Sequence, residues 1–496
     1  MWTILLMIFC ATQGLQEPVF YAANEDLRQY LVEATSNNPG LKAKWTEWQA
    51  ALQKVPQVST LEDPMFSYTQ FLQSDKTRFG LSLEQKFPWF GTLRARKDKA
   101  LIEADAALSR FYAARNKVVA DVKRAYFEYA QLGENMMIVQ AQTSILAEVE
   151  ETVKSRYGFG LASEADFYRV QIERDKLADM YKGLEQSVPA LSGNLLEALG
   201  RDAGDPLPWP QPSAFPPPPP EESLVLARIR EANPDIAAMH AMEEIWGKET
   251  LLAKKRGYPD FSIELGYENM KDMKTNNGKM DTAMAADATR MFARDAPTEG
   301  VLPTLGNIAY DVEKYRYLRE SGDTQDDVMI SLKLSLPIWR SRIKAGIQEA
   351  RLMQKSVEYD RRRATLSLDS AARLALFNIQ DAQRRFNLYS EVLIPKERLT
   401  YENLQTYYGA GTEPGTMGGS ADFLDILGSV QSLLEFQIEQ ARAARDLQVA
   451  SAELEMLMGG PWAETKTENK PATEDGPGPT GDSSQAQDGE SATPRR

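Results

Sequence analysis

Four short runs of alternating apolar and polar residues interrupt a chain whose apolar positions otherwise follow helical spacing. The two most regular runs cover 261–268, which reads FSIELGYE, and 328–336, which reads VMISLKLSL. A third run covers 79–84, and Phe66, Tyr68 and Phe71 mark a looser fourth. The two most regular runs approach the roughly 9–11 residues with which a tilted strand crosses a bilayer, and alternation is typical of a wall between lipid and water. The sequence therefore predicts four membrane-crossing β-strands.

Four strands are too few to close a barrel, because the smallest membrane barrels have about eight. The chain is therefore expected to share one barrel with copies of itself. The longest apolar stretch, Ile4 to Ala11, is far shorter than the roughly 20 residues of a membrane-spanning helix. It is typical of the apolar part of a secretory signal peptide, which we predict over residues 1–22.

Composition narrows the class of protein further. Cys10 is the only cysteine in the 496 residues, which leaves no intrachain disulfide. Cys10 is a candidate for lipid modification at a processed N-terminus, and the alternative is an ordinary signal-peptide residue. The net charge of −14 argues against a nucleic-acid partner, which would require a basic surface.

The chain repeats itself. Asn38-Pro39 recurs as Asn233-Pro234, and Tyr157-Gly158-Phe159-Gly160 recurs 251 residues later as Tyr408-Gly409-Ala410-Gly411. Asp166 recurs as Asp425, 259 residues later. Each copy is expected to contain a helix, two strands, a very long helix, a glycine-containing turn and a long helix, with coiled-coil-like spacing in the return helices.

These repeats set the expected boundaries. The first copy covers 24–200 and the second 221–459, with an inserted loop over about 270–325. A proline-rich linker at 201–220 is expected to be a stiff spacer. The tail at 460–496 is rich in Glu, Thr, Pro, Gly and Ser, which predicts a disordered acidic segment. Pro395 is expected to kink or divide the second long helix.

Several features occur together in this chain: the doubled Asn-Pro and Tyr-Gly-x-Gly motifs, the strand-ending Pro88 and Pro337, and the doubled order of elements. In this combination the chain resembles the outer-membrane efflux protein family. The resemblance covers about 24–460. It implies an α+β membrane protein, a homotrimer in which four strands per chain pool into one twelve-stranded β-barrel, with the long helices forming an α-helical periplasmic tunnel. It further implies a passive exit duct in the outer membrane of a Gram-negative bacterium, surrounded by outer-membrane lipid. A periplasmic adaptor protein and an inner-membrane efflux pump would be its partners.

The resemblance also suggests where the working residues lie. Asp422 and Asp425 are gate candidates, because rings of carboxylates set cation preference in channels, although acidic residues also favour helix N-termini. The helix-to-helix turns are the expected adaptor-docking tips, with the candidates Tyr157, Gly158, Gly160, Ser163, Tyr408, Gly409, Gly411 and Ser420. Glycine at helix ends has an ordinary structural explanation as well.

Two further sets of residues contain side chains that could bind a metal ion. Five methionines, Met270 to Met291, lie in the inserted loop, and thioethers suit Cu(I), but Met is also a common apolar filler. His240 is the only histidine and has no cysteine partner, so we expect no metal site around it. No cofactor is predicted, and the absence of a catalytic triad or phosphate loop argues against an enzyme. Phe87, Trp89 and Phe90 are expected near the membrane–water interface.

Three functions stay open at this point. The leading one is an exit duct for drugs or metal ions in a tripartite efflux system. A type I protein-secretion duct would share the same fold. A periplasmic coiled-coil protein without a pore belongs to another class, and the four alternating runs argue against it.

Overall fold

The computed structural model describes residues 24–73, 77–210, 215–270, 326–410 and 423–462. The predicted signal peptide with Cys10, nearly all of the inserted loop and the acidic tail after residue 462 lie outside the described residues. So do Gly411, Ser420 and Asp422, and for Gly409 only the backbone is described.

The first copy contains two short helices, two strands and two long helices. They are α1 (Glu25–Asn37), α2 (Pro39–Ser59), β1 (Met65–Gln70), β2 (Thr77–Phe87), α3 (Thr92–Gly158) and α4 (Glu164–Leu199). The second copy repeats this order with α5 (Glu222–Ala232), α6 (Pro234–Lys255), β3 (Phe261–Met270), β4 (Asp327–Leu334), α7 (Arg340–Asn387), a π-helix (Leu388–Leu393), α8 (Ile394–Ala410) and α9 (Phe423–Leu457). The predicted α+β class and the duplicated unit of long helices and two strands are confirmed.

Each copy opens with two helices where one was predicted. The division falls at Asn38-Pro39 and at Asn233-Pro234. Proline fits the first helical turn but disfavours helical backbone in the residue before it, so each Asn-Pro pair ends one helix and begins the next.

The two asparagines also join the ends of each copy. Asn38 Oδ1 accepts from the Leu41 N–H, and its side-chain amide donates to the Ala198 carbonyl at 3.2 Å. Asn233 Oδ1 accepts from two N–H groups of α6, and its amide donates to the Leu457 carbonyl at 2.9 Å. The repeated motif is therefore a clasp between the start of the second helix and the end of the return helix.

The four strands form one antiparallel sheet in the order β1-β2-β3-β4. β1 contains 6 residues and ends before Phe71, and β4 contains 8 residues and ends before Leu336, so both are shorter than the roughly 9–11 residues of a tilted crossing strand. Within the described residues, β1 and β4 each pair on one side only, so the sheet has two open edges.

The helices continue this order below the sheet. α2 packs on α3, α3 on α6 and α6 on α7, which is the order of the strands they adjoin. Further down, α4, α3, α9 and α8 pack side by side around a core that includes Val139, Val153, Phe423 and Ile426. The π-helix lies immediately before Pro395, where the missing N–H of proline breaks the regular hydrogen-bond ladder of the second long helix.

The linker makes specific contacts in addition to the spacing role expected from its prolines. The Trp209 ring stacks on Tyr129 with centroids 4.7 Å apart, and it lies against Gly133 so closely that a Cβ there would be 2.8 Å from the indole. Phe215 packs edge-on against Phe386 of α7 at 4.7 Å. The linker is therefore fastened to the long helix of each copy.

Candidate channel wall and tip

One face of the sheet is apolar. Because paired residues in antiparallel strands face the same side, the register places Phe66, Leu83, Leu265 and Ile330 in one row across all four strands. The next row contains Tyr68, Leu81, Tyr267 and Val328. Most of these side chains are exposed in the single chain. A large exposed apolar patch marks an interaction surface for another protein or for a membrane.

The opposite face is polar and carries an ion-paired cluster. Glu84 and Glu264 lie directly opposite each other, an arrangement that is unfavourable for two carboxylates alone. Lys333 lies between the two and forms an ion pair with each, with its Nζ 3.1 Å from Glu84 and 2.7 Å from Glu264. Ser331 donates a further hydrogen bond to Glu264. Such a face is suited to water and solutes.

Aromatic rings lie where the strands meet the helices. Phe87 stacks on Phe261 with centroids 5.3 Å apart, and Trp89 stacks on Tyr258 at 5.2 Å. The backbone N–H of Trp89 donates to Asp260 Oδ1 at 2.8 Å, which fixes the turn between β2 and α3. These rings stand at the edge of the apolar sheet, as an interfacial belt requires.

A chain of ion pairs connects the helices just below this boundary. Lys99 of α3 lies 2.7 Å from Glu249 of α6, and Arg256 lies 2.9 Å from the other oxygen of the same carboxylate. Burial acts to raise the pKa of Glu249, but the hydrogen bonds and charges of Lys99 and Arg256 outweigh it, so the pKa lies below its usual value.

At the far end of the helices, the turn between α3 and α4 exposes apolar side chains. Gly160 adopts a φ of 70°, and the Leu161 N–H closes the turn on the Arg156 carbonyl at 2.8 Å. Phe159 is 80% exposed, and Leu161 and Tyr157 are also exposed. The sequence-based candidates in this turn include Tyr157 and the glycines but not Phe159 and Leu161. The position of these two residues inside the predicted turn could have indicated that they are exposed.

Ser163 has a clear structural role. Its Oγ accepts from the Asp166 N–H, and Asp166 accepts in return from the Ser163 N–H, which forms a capping box at the start of α4. Asp425, the repeat mate of Asp166, is exposed in the first turn of α9. The gate role of Asp425 stays a prediction, because its partner candidate Asp422 lies outside the described residues.

Tyr408 differs from the other tip candidates because its side chain is buried. It is only 7% exposed, packs near Phe423, and lies beneath the Arg156 guanidinium at 4.2 Å from the ring centroid. Arg156 also donates to the Tyr408 carbonyl. In the single chain Tyr408 therefore joins the end of α8 to the end of α3 and exposes little surface to a partner. Arg156, 252 residues away along the chain, had no signal in the sequence.

No metal-binding arrangement occurs in the part of the chain that the structure describes. Groups of three or more His, Cys, Asp or Glu that could hold an ion are absent there, and His240 is exposed on α6. Across the same residues, no helix is both long enough and apolar enough to span a membrane.

Comparison with known proteins gives the same architecture. Residues 30–201 match the family model described as "Outer membrane efflux protein". The resemblance to the outer membrane efflux proteins is confirmed. A search of curated proteins returned no match.

Solved structures of outer membrane proteins and channels are similar to this chain over most of its length. VceC from Vibrio cholerae is 17% identical, with a TM-score of 0.65 over 88% of this chain and 96% of its own. CusC is 14% identical, with a TM-score of 0.67 over 90% and 96%. The MtrE outer membrane channel of Neisseria gonorrhoeae is 17% identical, with a TM-score of 0.63 over 88% and 89%. At these identities the likeness establishes the fold.

Proposed function

We propose that the chain forms a passive exit duct in the outer membrane of a Gram-negative bacterium and serves an efflux system for drugs or metal ions. The observation that carries this proposal is the sheet, with one apolar face, one ion-paired face and two open edges. A wall of this kind separates lipid from a water-filled lumen. A coiled-coil protein without a pore has no use for it.

The open edges support a homotrimer. Four strands per chain cannot close, but three copies supply twelve, which is an even and closable number. The edge of β4 would pair with β1 of the next copy. Because α2 and α7 are the outermost helices in the same order, the helical tunnel would close along the same junctions. Burying both strand edges removes the unpaired backbone groups that lipid cannot satisfy.

The exposed turn at the far end supports docking to a periplasmic adaptor protein and, through it, to an inner-membrane pump. Phe159 and Leu161 expose apolar side chains on a turn that ends in the Ser163–Asp166 capping box. Such an anchor suits a partner helix or helical hairpin. Asp425, with Asp422, is proposed as a carboxylate ring at this end, and the Asp422→Ala and Asp425→Ala double variant should raise single-channel conductance. Unchanged current would remove the pair from a gating role.

The proposal is tested first by extraction of the native particle from the outer membrane in mild detergent, followed by native mass spectrometry. A trimer is expected, and planar-bilayer recordings of that trimer should show discrete channels. A water-soluble monomer or dimer would contradict the duct.

A matched pair of variants tests which face meets lipid. Leu83→Lys places a charge on the apolar face, where a cation near the bilayer midplane costs about 2–4 kcal/mol, so the amount of assembled trimer should fall. Ser82→Lys places the same charge on the polar face and should assemble normally. Equal loss in both variants would refute the assignment of the faces.

A further inference from the structure

The contact between Arg156 and Tyr408 joins the two copies of the repeat at the tip of one chain. It combines a hydrogen bond from the guanidinium to the Tyr408 carbonyl with a cation–π contact of 4.2 Å. Tyr408 is buried by it, and the core around Val153 and Phe423 lies alongside. The first copy of the repeat is therefore firmly tied to the second within each chain.

The repeat assigns a second contact of the same kind. The matching Tyr-Gly-x-Gly motifs make 157 equivalent to 408, and hence 156 equivalent to 407. In a closed ring of copies, the second repeat of one chain lies beside the first repeat of the next. In that arrangement Tyr407 takes the place of Arg156, and Tyr157 takes the place of Tyr408. The contact that corresponds to Arg156 with Tyr408 is therefore a contact of Tyr407 in one copy with Tyr157 of the partner subunit.

The exposure of these residues in the single chain agrees with this assignment. Tyr407 is 53% exposed and Tyr157 is 51% exposed, although both are large aromatic side chains. A second pair of equivalent positions, 259 residues apart, differs in exposure in the same way. Leu427 of the second repeat is buried in the tip core, whereas Tyr168 of the first repeat, on α4, is exposed. The surface of the first repeat is thus uncovered where the matching surface of the second repeat is covered.

We infer that Tyr407 packs against Tyr157 of the partner subunit at the tip. This inference rests on the ring proposed above. Because Tyr407 occupies the position that Arg156 occupies in the first repeat, the contact between copies joins two aromatic rings where the contact within a chain joins a guanidinium and a ring.

A photo-cross-linking experiment tests the contact. Full-length protein carrying p-benzoylphenylalanine at 157 is assembled in the outer membrane and irradiated, and the products are separated by denaturing electrophoresis. Cross-linked dimers and trimers are expected, with a linked peptide that contains Tyr407. Tyr407→Ala should reduce their yield. The same probe at Met137, an exposed position about 30 Å up the same helix, should not link to that peptide.

Trimers with no linkage to the Tyr407 peptide would overturn the inference. Absence of a trimer in native mass spectrometry would instead overturn the proposed function, which keeps the two failures distinct.

Discussion

Three glycines with left-handed backbone form a graded series that tests how tightly the repeat ends are packed. Gly160, Gly200 and Gly459 have φ values of 70°, 77° and 81°. A Cβ at Gly160 would meet no atom within 4 Å. At Gly200 it would lie 3.2 Å from the backbone of Asn37, and at Gly459 it would lie 2.6 Å from the carbonyl oxygen of Ala232.

The expected cost of alanine follows from these distances. Left-handed backbone costs an L-residue about 1–2 kcal/mol, and the reduced freedom of the unfolded chain returns about 0.4–1 kcal/mol. Gly160→Ala should therefore destabilise by about 1 kcal/mol. Gly459→Ala adds an overlap with backbone that cannot rotate away, and overpacking of this kind adds about 1–3 kcal/mol. Gly200→Ala should lie between the two.

The assay is thermal unfolding followed by far-UV circular dichroism at fixed protein and detergent concentrations, since the stability of an oligomer depends on concentration. The midpoints should fall in the order wild type, Gly160→Ala, Gly200→Ala, Gly459→Ala. Because all three positions share the backbone strain, the difference between Gly459→Ala and Gly160→Ala isolates the close approach. Equal midpoints for these two variants would refute the reasoning.

Three more predictions concern the linker, the ion pairs and the clasp. Gly133→Val should displace Trp209, shift its fluorescence and speed proteolysis of the linker, because there is no room for a Cβ. Glu249→Gln should lower stability at neutral pH, and the difference from wild type should shrink as the pH falls below 4.5. The reason is that the pKa of Glu249 is lower in the folded protein than in the unfolded chain. The ionised carboxylate therefore stabilises the fold above the unfolded pKa, and this stabilisation is lost as the pH falls through the folded pKa. Asn233→Ala should lower stability by about 1–3 kcal/mol through loss of a helix cap and of a buried hydrogen bond to Leu457.

Each of these has a control. Gly183→Val changes a helical glycine with open space around it and should leave the linker protected. Glu47→Gln breaks an exposed pair with Lys44 and should give no comparable pH effect. Asn38→Ala removes one cap bond where Asn233→Ala removes two, so it should cost less stability, and a larger loss at Asn38 would contradict this ranking. Gly133→Val with the fluorescence of wild type would refute the linker prediction. A loss of stability in Glu249→Gln that is the same at every pH would refute the ion-pair prediction.

Much of the fold followed from local patterns in the sequence. Period-two runs located all four strands, because side chains in a strand alternate between faces whatever lies around them. The repeated Tyr-Gly-x-Gly motifs located the ends of the two long helices, because turns depend on a few neighbouring residues. The two short strands, the second helix at the start of each copy and the π-helix before Pro395 required the structure, because element boundaries depend on hydrogen-bond partners.

Of the candidate tip, the sequence determined the turn, with Gly160 and Ser163, since a left-handed residue and a cap are local requirements. Only the tertiary structure decided that Tyr408 is buried beneath Arg156, that Lys333 bridges Glu84 and Glu264, and that Trp209 rests on Gly133. Most of these partners lie far apart along the chain. Their meeting depends on the relative register of long helices and strands, which is set by packing over the whole molecule and leaves no local pattern to read.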